Sequence, residues 1–270
     1  MPLTQEQQEA VRMGTPIEWN GLTLFPILMK DYNRFIIAQM GLTAQQQTLP
    51  SKYVVMRYLE ALYALDYDVR TNGGPQGGFF SRILLFLMLS LRLEVRKGLD
   101  GEEYIPIGIQ TEKDNPRKLT ALEVTQGEVS VEITPQNFVQ LREILAAQNE
   151  VELPDETLNA ELVQAERDLA AKSSLNLVPD SEALIYSVSV KMQIPVEDIF
   201  QWTVRRFVLT ERAIDRITGH LVAALSEAAG AKYKNGNPWP SWKYDRDKHS
   251  SALVSLAELT QRLSGSVEAR

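Results

Sequence analysis

The sequence contains no cysteine, which excludes disulfide bonds, thiolate metal sites and cysteine nucleophiles. This absence fits a reducing, cytosolic compartment. Only two histidines are present, His220 and His249, and neither belongs to an HExxH or paired-histidine pattern. We therefore predict no metal site, and we expect His220 to interact favourably with the C-terminal end of its helix.

Recognisable catalytic motifs are missing as well. No lysine and hydroxyl residue follow the glycine-rich run 73–78 in the order of a phosphate-binding loop, and the chain has no GxSxG. Asp66 and Asp68 have DxD spacing, but we interpret them as turn formers within a loop over 66–78. Paired carboxylates for acid–base catalysis could still meet from distant positions, although no pattern indicates them. The sequence thus predicts a non-enzymatic protein with no catalytic residues and no cofactor.

The chain also has little that suits a membrane or a secretion pathway. Its N-terminal segment, MPLTQEQQEAVRMG, is polar and partly acidic, whereas a signal peptide needs a basic start and an apolar run. The most apolar stretch, Ile83 to Leu91, is far shorter than the roughly 20 residues that span a bilayer. We expect no membrane association and predict a buried helix at this stretch.

Positive charge is in short supply. A formal net charge of −7 argues against nucleic acid as the main partner, because that affinity depends chiefly on a basic surface. The 44% hydrophobic content is enough to bury a normal core. We therefore expect a folded protein whose partners are other proteins.

The pattern along the chain predicts a mainly α, formally α+β, protein with a small antiparallel β meander or hairpin near its middle. We divide the chain into an N-terminal helical region over 1–100, a small β element over 101–133 and a C-terminal helical region over 134–270. Within the last region, apolar residues at three- and four-residue spacing predict one long helix over 196–229. Helices of such a length typically form either the spine of a domain or a contact with a partner.

A short block rich in tryptophan and proline, residues 232–247, follows this helix. Tryptophan, tyrosine and arginine often dominate protein interfaces, while aromatic rings beside lysines can also bind single-stranded nucleic acid. We expect the block to be ordered and packed against the long helix. The predicted partner-binding residues are Trp202, Arg205, Arg206, Tyr233, Lys234, Trp239, Trp242 and Tyr244.

Four segments carry a resemblance to a known family. They are LTLFPILMKDYNRF (22–35), LPSKYVVMRYLEAL (49–62), ITPQNFVQLREILAAQNEVELPDETLN (133–159) and GNPWPSWKYDR (236–246). Together with their order, they make the chain resemble the tail assembly chaperones of tailed bacteriophages that infect Gram-positive hosts. The last segment, placed after an arginine-bearing helix, is the most specific of the four.

This resemblance implies a non-enzymatic protein of the host cytoplasm that binds and shields the long helical tape measure protein until tail tube subunits assemble around it. It brings no catalytic residues. A structural component of the tail or virion and a nucleic-acid-binding accessory protein are the alternatives. Whether the chain forms a homo-oligomer is left open.

Overall fold

The computed structural model describes residues 3–73, 77–97, 103–155, 180–233 and 237–243. The chain divides into two compact units. The first comprises Met1–Pro154 with Phe200–Arg206, and the second comprises Asp155–Ile199 with Phe207–Arg270. The predicted regions 1–100 and 101–133, and the start of 134–270, therefore all fall within the first unit.

The first unit begins with helix α1, Gln5–Met13, whose start is fixed by a capping box between Thr4 and Gln7. A hairpin follows, formed by β1 (Ile17–Trp19) and β2 (Leu22–Leu24). Asn20 and Gly21 both have positive φ, 49° and 89°, as a tight two-residue hairpin turn requires. Two 3₁₀ turns, Met29–Asp31 and Gln46–Thr48, flank helix α2, Tyr32–Leu42.

Gly41 lies inside α2. A side chain there would bring its Cβ within 2.7 Å of the Ile83 backbone nitrogen and 2.9 Å of the Phe79 carbonyl oxygen. Glycine is needed because helix α5, Phe79–Leu91, crosses α2 backbone to backbone at this point. The Tyr58 hydroxyl donates to the Gly41 carbonyl and secures the same crossing.

Helix α3 (Ser51–Val54) leads into α4 (Tyr58–Asn72), which runs seven residues into the loop predicted over 66–78. The prediction was wrong there because Asp66 acts from within the helix. Its buried carboxylate accepts hydrogen bonds from the backbone N–H groups of Gly78 (2.8 Å) and Phe80 (3.0 Å) and so caps α5. The predicted buried helix at Ile83–Leu91 is confirmed, since it lies within α5.

The predicted β element is confirmed as a three-stranded antiparallel meander in the order β5-β6-β7. Its strands are Ile107–Glu112, Asn115–Gln126 and Val129–Ile133. Before it, β3 (Arg96–Lys97) pairs with β4 (Glu103–Tyr104). The meander packs on α4, where the Tyr63 hydroxyl donates to the Pro116 carbonyl over 3.0 Å. These contacts place the sheet in the same unit as the N-terminal helices.

Side-chain amides join the parts of this unit. Gln126, at the end of β6, accepts from the Thr23 N–H and donates to the carbonyls of Thr23 and Leu91. At the end of helix α6 (Phe138–Gln148), the buried side chains of Gln148 and Asn149 form hydrogen bonds with the end of β2 and with the chain after it. Gln148 donates to the Leu24 carbonyl, and Asn149 accepts from the Ile27 N–H, each over 2.9 Å. Buried backbone groups need such partners.

The core of the first unit is formed by large side chains that are less than 2% exposed. They are Leu22, Leu24, Met29, Leu42, Leu59, Leu62, Ile83, Phe86, Leu87, Leu91 and Phe138. They come from the hairpin, from α2, α4, α5 and α6, and from the first 3₁₀ turn. The core therefore depends on contacts between segments far apart in sequence.

The second unit contributes helix α7, Ser181–Met192, which Asp180 caps by accepting from the N–H groups of Glu182 and Ala183. Gln193 ends this helix in the left-handed conformation. Helix α8, Val196–Ile199, begins after Pro195. Helix α9, Val204–Ala228, has its first three residues in the first unit and the remainder in the second.

The single helix predicted over 196–229 is thus two helices, α8 and α9, with a non-helical segment, residues 200–203, between them. The carbonyls of Phe200 and Trp202 accept from the N–H groups of Lys30 (3.2 Å) and Met29 (2.9 Å) instead of helical partners. The Thr203 hydroxyl then accepts from the Arg206 N–H and starts α9. The apolar repeat continues on both sides of the interruption, so periodicity alone could not reveal it.

The described residues confirm the mainly helical α+β architecture with a small antiparallel β element. None of the helices among them is long and apolar enough to cross a membrane.

Candidate protein-binding surface

The predicted partner-binding residues fall into two groups, one in each unit. Trp202, Arg205 and Arg206 belong to the first unit, whereas Tyr233, Trp239 and Trp242 belong to the second. Lys234 and Tyr244 lie outside the described residues. The side chains of the two groups have different surroundings.

The first group holds the segment 200–206 in place. The Trp202 side chain is buried, with 7% exposed, and the Arg206 guanidinium lies over its ring at 4.1 Å from the centroid. Arg205 forms an ion pair with Glu150, just after α6. The described geometry therefore gives Trp202 and Arg205 a role within the first unit. Their predicted role in partner binding stays a prediction.

In the second group, Trp239 is fixed against α9. A Cβ added to Gly219 would lie 2.6 Å from Cε2 of the Trp239 ring, so the indole rests directly on this glycine. The His220 Nδ1 lies 2.9 Å from the Trp239 carbonyl oxygen, and the Asn237 side chain accepts from the Trp239 N–H over 2.7 Å. The predicted contact between the block and the helix is present at Trp239. The described contact of the His220 side chain is therefore with the Trp239 carbonyl oxygen.

Trp242 has a different environment. Its side chain is 51% exposed, and the Lys243 ammonium lies 5.9 Å from its ring centroid. Tyr233, five residues after the end of α9, is partly buried. Trp239 is thus fixed on the helix, whereas the large aromatic side chain of Trp242, three residues later, is in contact with water. An exposed tryptophan with a cation beside it is a common component of protein interfaces.

Helix α9 exposes further apolar side chains. Ile217, Leu221 and Leu225 are 44%, 55% and 70% exposed, and their four-residue spacing places them on one face. We call these three residues the α9 stripe. Gly219, which carries Trp239, is two residues from Leu221 and therefore about 200° around the helix axis. The stripe and the Trp239 contact occupy opposite faces.

Two carboxylates, Glu211 and Asp215, lie on the Gly219 side of α9, because all three residues are spaced four apart. Burial raises the pKa of Glu211, and the charge of Asp215 together with a hydrogen bond between the two side chains raises it further, against a smaller opposing effect of Arg212. The two residues are four apart and share a side of α9.

Within the residues that the structure describes, no three histidine, aspartate or glutamate side chains converge as metal ligands would. The first unit has a surface cavity of about 300 Å³ between α2 and the end of α5. Its lining includes the apolar residues Ile27 and Leu93, while Lys30, Asp31 and Arg92 contribute both signs of charge. This mixed lining selects no particular ligand chemistry.

No family model, curated protein or solved structure matches the chain. The candidate surface therefore rests on its own geometry and on the resemblance carried by the four sequence segments.

The aromatic and basic residues were predicted from the sequence as a partner-binding site, and the long helix as a possible partner contact, but the exposed face of that helix was not. The apolar repeat that contains Ile217, Leu221 and Leu225 was visible, but its spacing is the same whether a helix packs in a core or faces water. The glycine at 219 was the overlooked signal. A glycine inside an amphipathic helix indicates a close neighbour on its own face.

Proposed function

We propose that this protein is a tail assembly chaperone of a tailed bacteriophage that binds and shields a long helical client, the tape measure protein, without catalysis. It acts in the host cytoplasm and releases its client as tail tube proteins assemble. The proposal rests on one observation, the row of half-exposed leucine and isoleucine side chains on α9, taken with the resemblance of the four segments.

Exposed apolar surface supports this function. A soluble protein rarely exposes a contiguous apolar patch of more than a few hundred Å², and such patches mark interaction sites. A tape measure is a very long helix with apolar stripes of its own, which would aggregate if left in water. Helices of this kind bind by laying their apolar face against a complementary apolar surface. The chaperone and its client thus remove each other's exposed apolar area from water.

Co-expression with the tape measure protein of the same phage tests the function. We expect the client to become soluble and to elute with this protein in size-exclusion chromatography. The matched control is co-expression with an unrelated soluble protein of similar size, which should leave the client insoluble. A client that stays insoluble with both would refute the chaperone function.

Mature particles provide a second test. A chaperone leaves before maturation, so the protein should be absent from purified virions in mass spectrometry. A fixed copy number in virions would instead establish the structural alternative. Binding of single-stranded DNA at physiological salt, without binding of the client, would establish the nucleic-acid accessory alternative.

A further inference from the structure

We propose that the outer edge of strand β5 is a docking site for an extended segment of a partner protein, which adds to the meander as a fourth, antiparallel strand. The side chains that this segment places beside Gly108 are lysine or arginine. The inference goes beyond the proposed function, which concerns a helical client, and its test does not depend on that client.

The backbone of β5 bonds to β6 on one side only. The Thr125 N–H donates to the Pro106 carbonyl over 3.3 Å, and bonded positions alternate along an antiparallel strand. Gly108 is therefore bonded to β6, whereas Ile107 and Ile109 direct their backbone groups to the opposite side. The meander has the order β5-β6-β7, so this side of β5 is an edge of the sheet in the described part of the chain.

Three backbone groups on this edge are open. The Ile107 N–H donates to the Ile105 carbonyl over 2.7 Å, which leaves the Ile107 carbonyl and both the N–H and the carbonyl of Ile109. Among the described residues, none of these three groups has a hydrogen-bond partner. A strand edge with such groups pairs readily with another extended chain, because the added chain satisfies them through main-chain hydrogen bonds.

The opposite edge of the meander differs. The Glu132 carbonyl on β7, which by the same alternation points away from β6, accepts from the Asn137 side chain over 3.1 Å. The chain itself thus covers part of that edge. On β5, Pro106 and an irregular register from Gln110 to Glu112 limit the open edge to residues 107–109.

Apolar side chains lie beside the open groups. Ile109 and Ile105 are 44% and 36% exposed, although Ile109 shares its face of the sheet with the fully buried Leu122. The apolar face of the meander thus continues to the edge and is only half covered there. An added strand would extend this face, so its side chain opposite Ile109 should be apolar.

The other face of β5 selects the charge of the partner. Gly108 has no side chain, and a Cβ built there would lie 3.5 Å from the Glu123 Cβ and 3.7 Å from its Oε2. The Glu123 carboxylate therefore extends over Gly108 toward the open edge, while its Oε1 accepts from the Ser130 hydroxyl. Glu132 lies directly opposite Glu123, so two like charges are neighbours on this face. A lysine or arginine beside Gly108 would reach Glu123 and reduce this repulsion.

Charge also decides between a foreign segment and a second copy of the chain. Pairing of two β5 edges would bring two copies of Glu123 to the same small sheet, and the whole chain carries a formal net charge of −7. Like charges on neighbouring strands are destabilising. A basic segment of another protein is therefore the favoured occupant.

The first experiment uses two fluorescein-labelled peptides of about nine residues, which is within the usual length of one strand. One peptide alternates valine with lysine, and the other alternates valine with glutamate. Fluorescence anisotropy measures their affinity for the full-length protein. We expect the lysine peptide to bind about tenfold more tightly at low salt, and the preference to shrink as added salt screens the charges.

A matched pair of N-methylated lysine peptides tests the strand geometry. In antiparallel pairing, the residue opposite Ile109 is a valine whose N–H faces β5, whereas the lysine N–H groups face away. N-methylation of the valines should therefore weaken binding at least about tenfold, and N-methylation of the lysines less than about twofold. Both peptides keep the charge of the parent, so non-specific attraction to the acidic protein cannot produce this difference.

Substitutions in the protein test the same contacts. Ile109→Pro removes an N–H that has no partner among the described residues, and proline is tolerated at such edge positions. Ile109→Ala keeps the N–H. We expect Ile109→Pro to weaken the lysine peptide at least about tenfold and Ile109→Ala about threefold at most. The N-methylated peptides decide the question if circular dichroism shows that Ile109→Pro has not folded.

A charge variant completes the test. Glu123→Gln should reduce the preference for lysine over glutamate about threefold, the size of one exposed ion pair. Glu9→Gln, which removes an exposed carboxylate on α1, is the control and should leave the preference unchanged.

Three outcomes would overturn the inference. They are equal affinities of the lysine and glutamate peptides, equal effects of the two N-methylation patterns, and a wild-type dimer that Ile109→Pro dissociates in analytical ultracentrifugation. The last would show that a second copy of this chain occupies the edge. No tape measure protein enters these experiments, so their failure leaves the chaperone function standing, and failure of that function leaves this docking site standing.

Discussion

The first unit buries several polar side chains, whereas helix α9 of the second unit exposes a row of apolar ones. Asn149 and Gln148 are both 1% exposed and hold backbone groups of the chain after β2. Leu221 and Leu225 on α9 are more than half exposed. A buried polar contact stabilises one particular fold, because the group must find its partner, whereas an exposed apolar row gains stability only when a partner covers it. The two units thus differ in what their sequences are selected to do.

The largest contrast concerns two tryptophans. Trp202→Ala should destabilise the protein by about 3 to 5 kcal/mol, because the 7% exposed ring leaves a cavity under Arg206. Trp242→Ala should cost less than about 1 kcal/mol, because that ring is 51% exposed. Urea unfolding midpoints at unchanged slope measure both. Equal losses would mean that the second unit depends on its block for stability as much as the first depends on its core.

Asn149→Ala should cost about 2 to 3 kcal/mol. The substitution leaves the Ile27 N–H and the Leu145 carbonyl without the partners they have now, each at 2.9 Å and buried. Gln5→Ala removes an amide from the exposed surface of α1 and should change stability by less than about 0.5 kcal/mol. Thermal unfolding of both variants compares them. Similar melting temperatures would contradict the role we assign to buried amides.

Gly41→Ala should cost roughly 2 kcal/mol, since the new Cβ would meet backbone atoms of α5 that cannot move without shifting that helix. Gly219→Ala is the control in the second unit. There the Cβ meets the Trp239 side chain, and the gain in helix propensity, about 1 kcal/mol, offsets part of the cost. We expect little net change in stability but stronger acrylamide quenching of tryptophan fluorescence. A Gly41→Ala variant as stable as Gly219→Ala would remove this distinction.

Asp68→Asn should cost about 1 to 2 kcal/mol at neutral pH. Burial raises the pKa of Asp68, but hydrogen bonds from Lys52 (2.8 Å) and Tyr53 (2.7 Å) and the charge of Arg117 lower it by more, so the net shift is downward. A lowered pKa means that the stability gained is present above the ordinary value of 3.8 and is lost as the pH falls through the folded-state pKa.

The difference in unfolding free energy between wild type and Asp68→Asn should therefore shrink in acid. Urea titrations between pH 7 and pH 3 measure it, with the exposed Asp114→Asn as control. A difference that stays constant over this range would show that the carboxylate charge is not what stabilises the contact.

The smallest effect belongs to α9 and has the opposite sign. Because the pKa of Glu211 is raised, its charged form is disfavoured in the folded state and lowers stability above that pKa. Glu211→Gln should therefore stabilise the protein at pH 7 by roughly 0.3 to 0.5 kcal/mol, the size of a like-charge pair four residues apart. The gain should vanish as acid neutralises Glu211. Glu227→Gln, which removes a carboxylate near the end of the same helix, is the control.

Sequence patterns predicted the elements of the first unit better than the connections between them. The apolar run at Ile83–Leu91 and the alternation before Ile133 identified a helix and a strand because each pattern has its own period. The role of Asp66 could not be found in this way, since its capping partners lie 12 and 14 residues further along the chain. The Asn20-Gly21 pair is a typical hairpin-turn signal, but it was overlooked.

The residue types of the candidate site were predictable from the sequence, but the exposure of each side chain was not. Trp202 and Trp242 are the same residue type near the same helix, yet one is buried and the other is half exposed. What separates them is the backbone pairing of 200–203 with 28–30, which no local pattern encodes. The α9 stripe was visible as a period, but only the position of Trp239 on Gly219 shows which face of the helix is left open.

The return of residues 200–206 to the first unit has a consequence for synthesis on the ribosome. Met29 and Lys30 obtain their hydrogen-bond partners only when Trp202 and Phe200 emerge, so about 170 residues must be translated in between. At about 10 residues per second, the nascent N-terminal unit waits on the order of 17 s with this edge unpaired. In a chain truncated after Pro154, the N–H groups of Met29 and Lys30 would never gain these partners. We expect such a chain to bind holdase chaperones and to be degraded faster than the full-length protein.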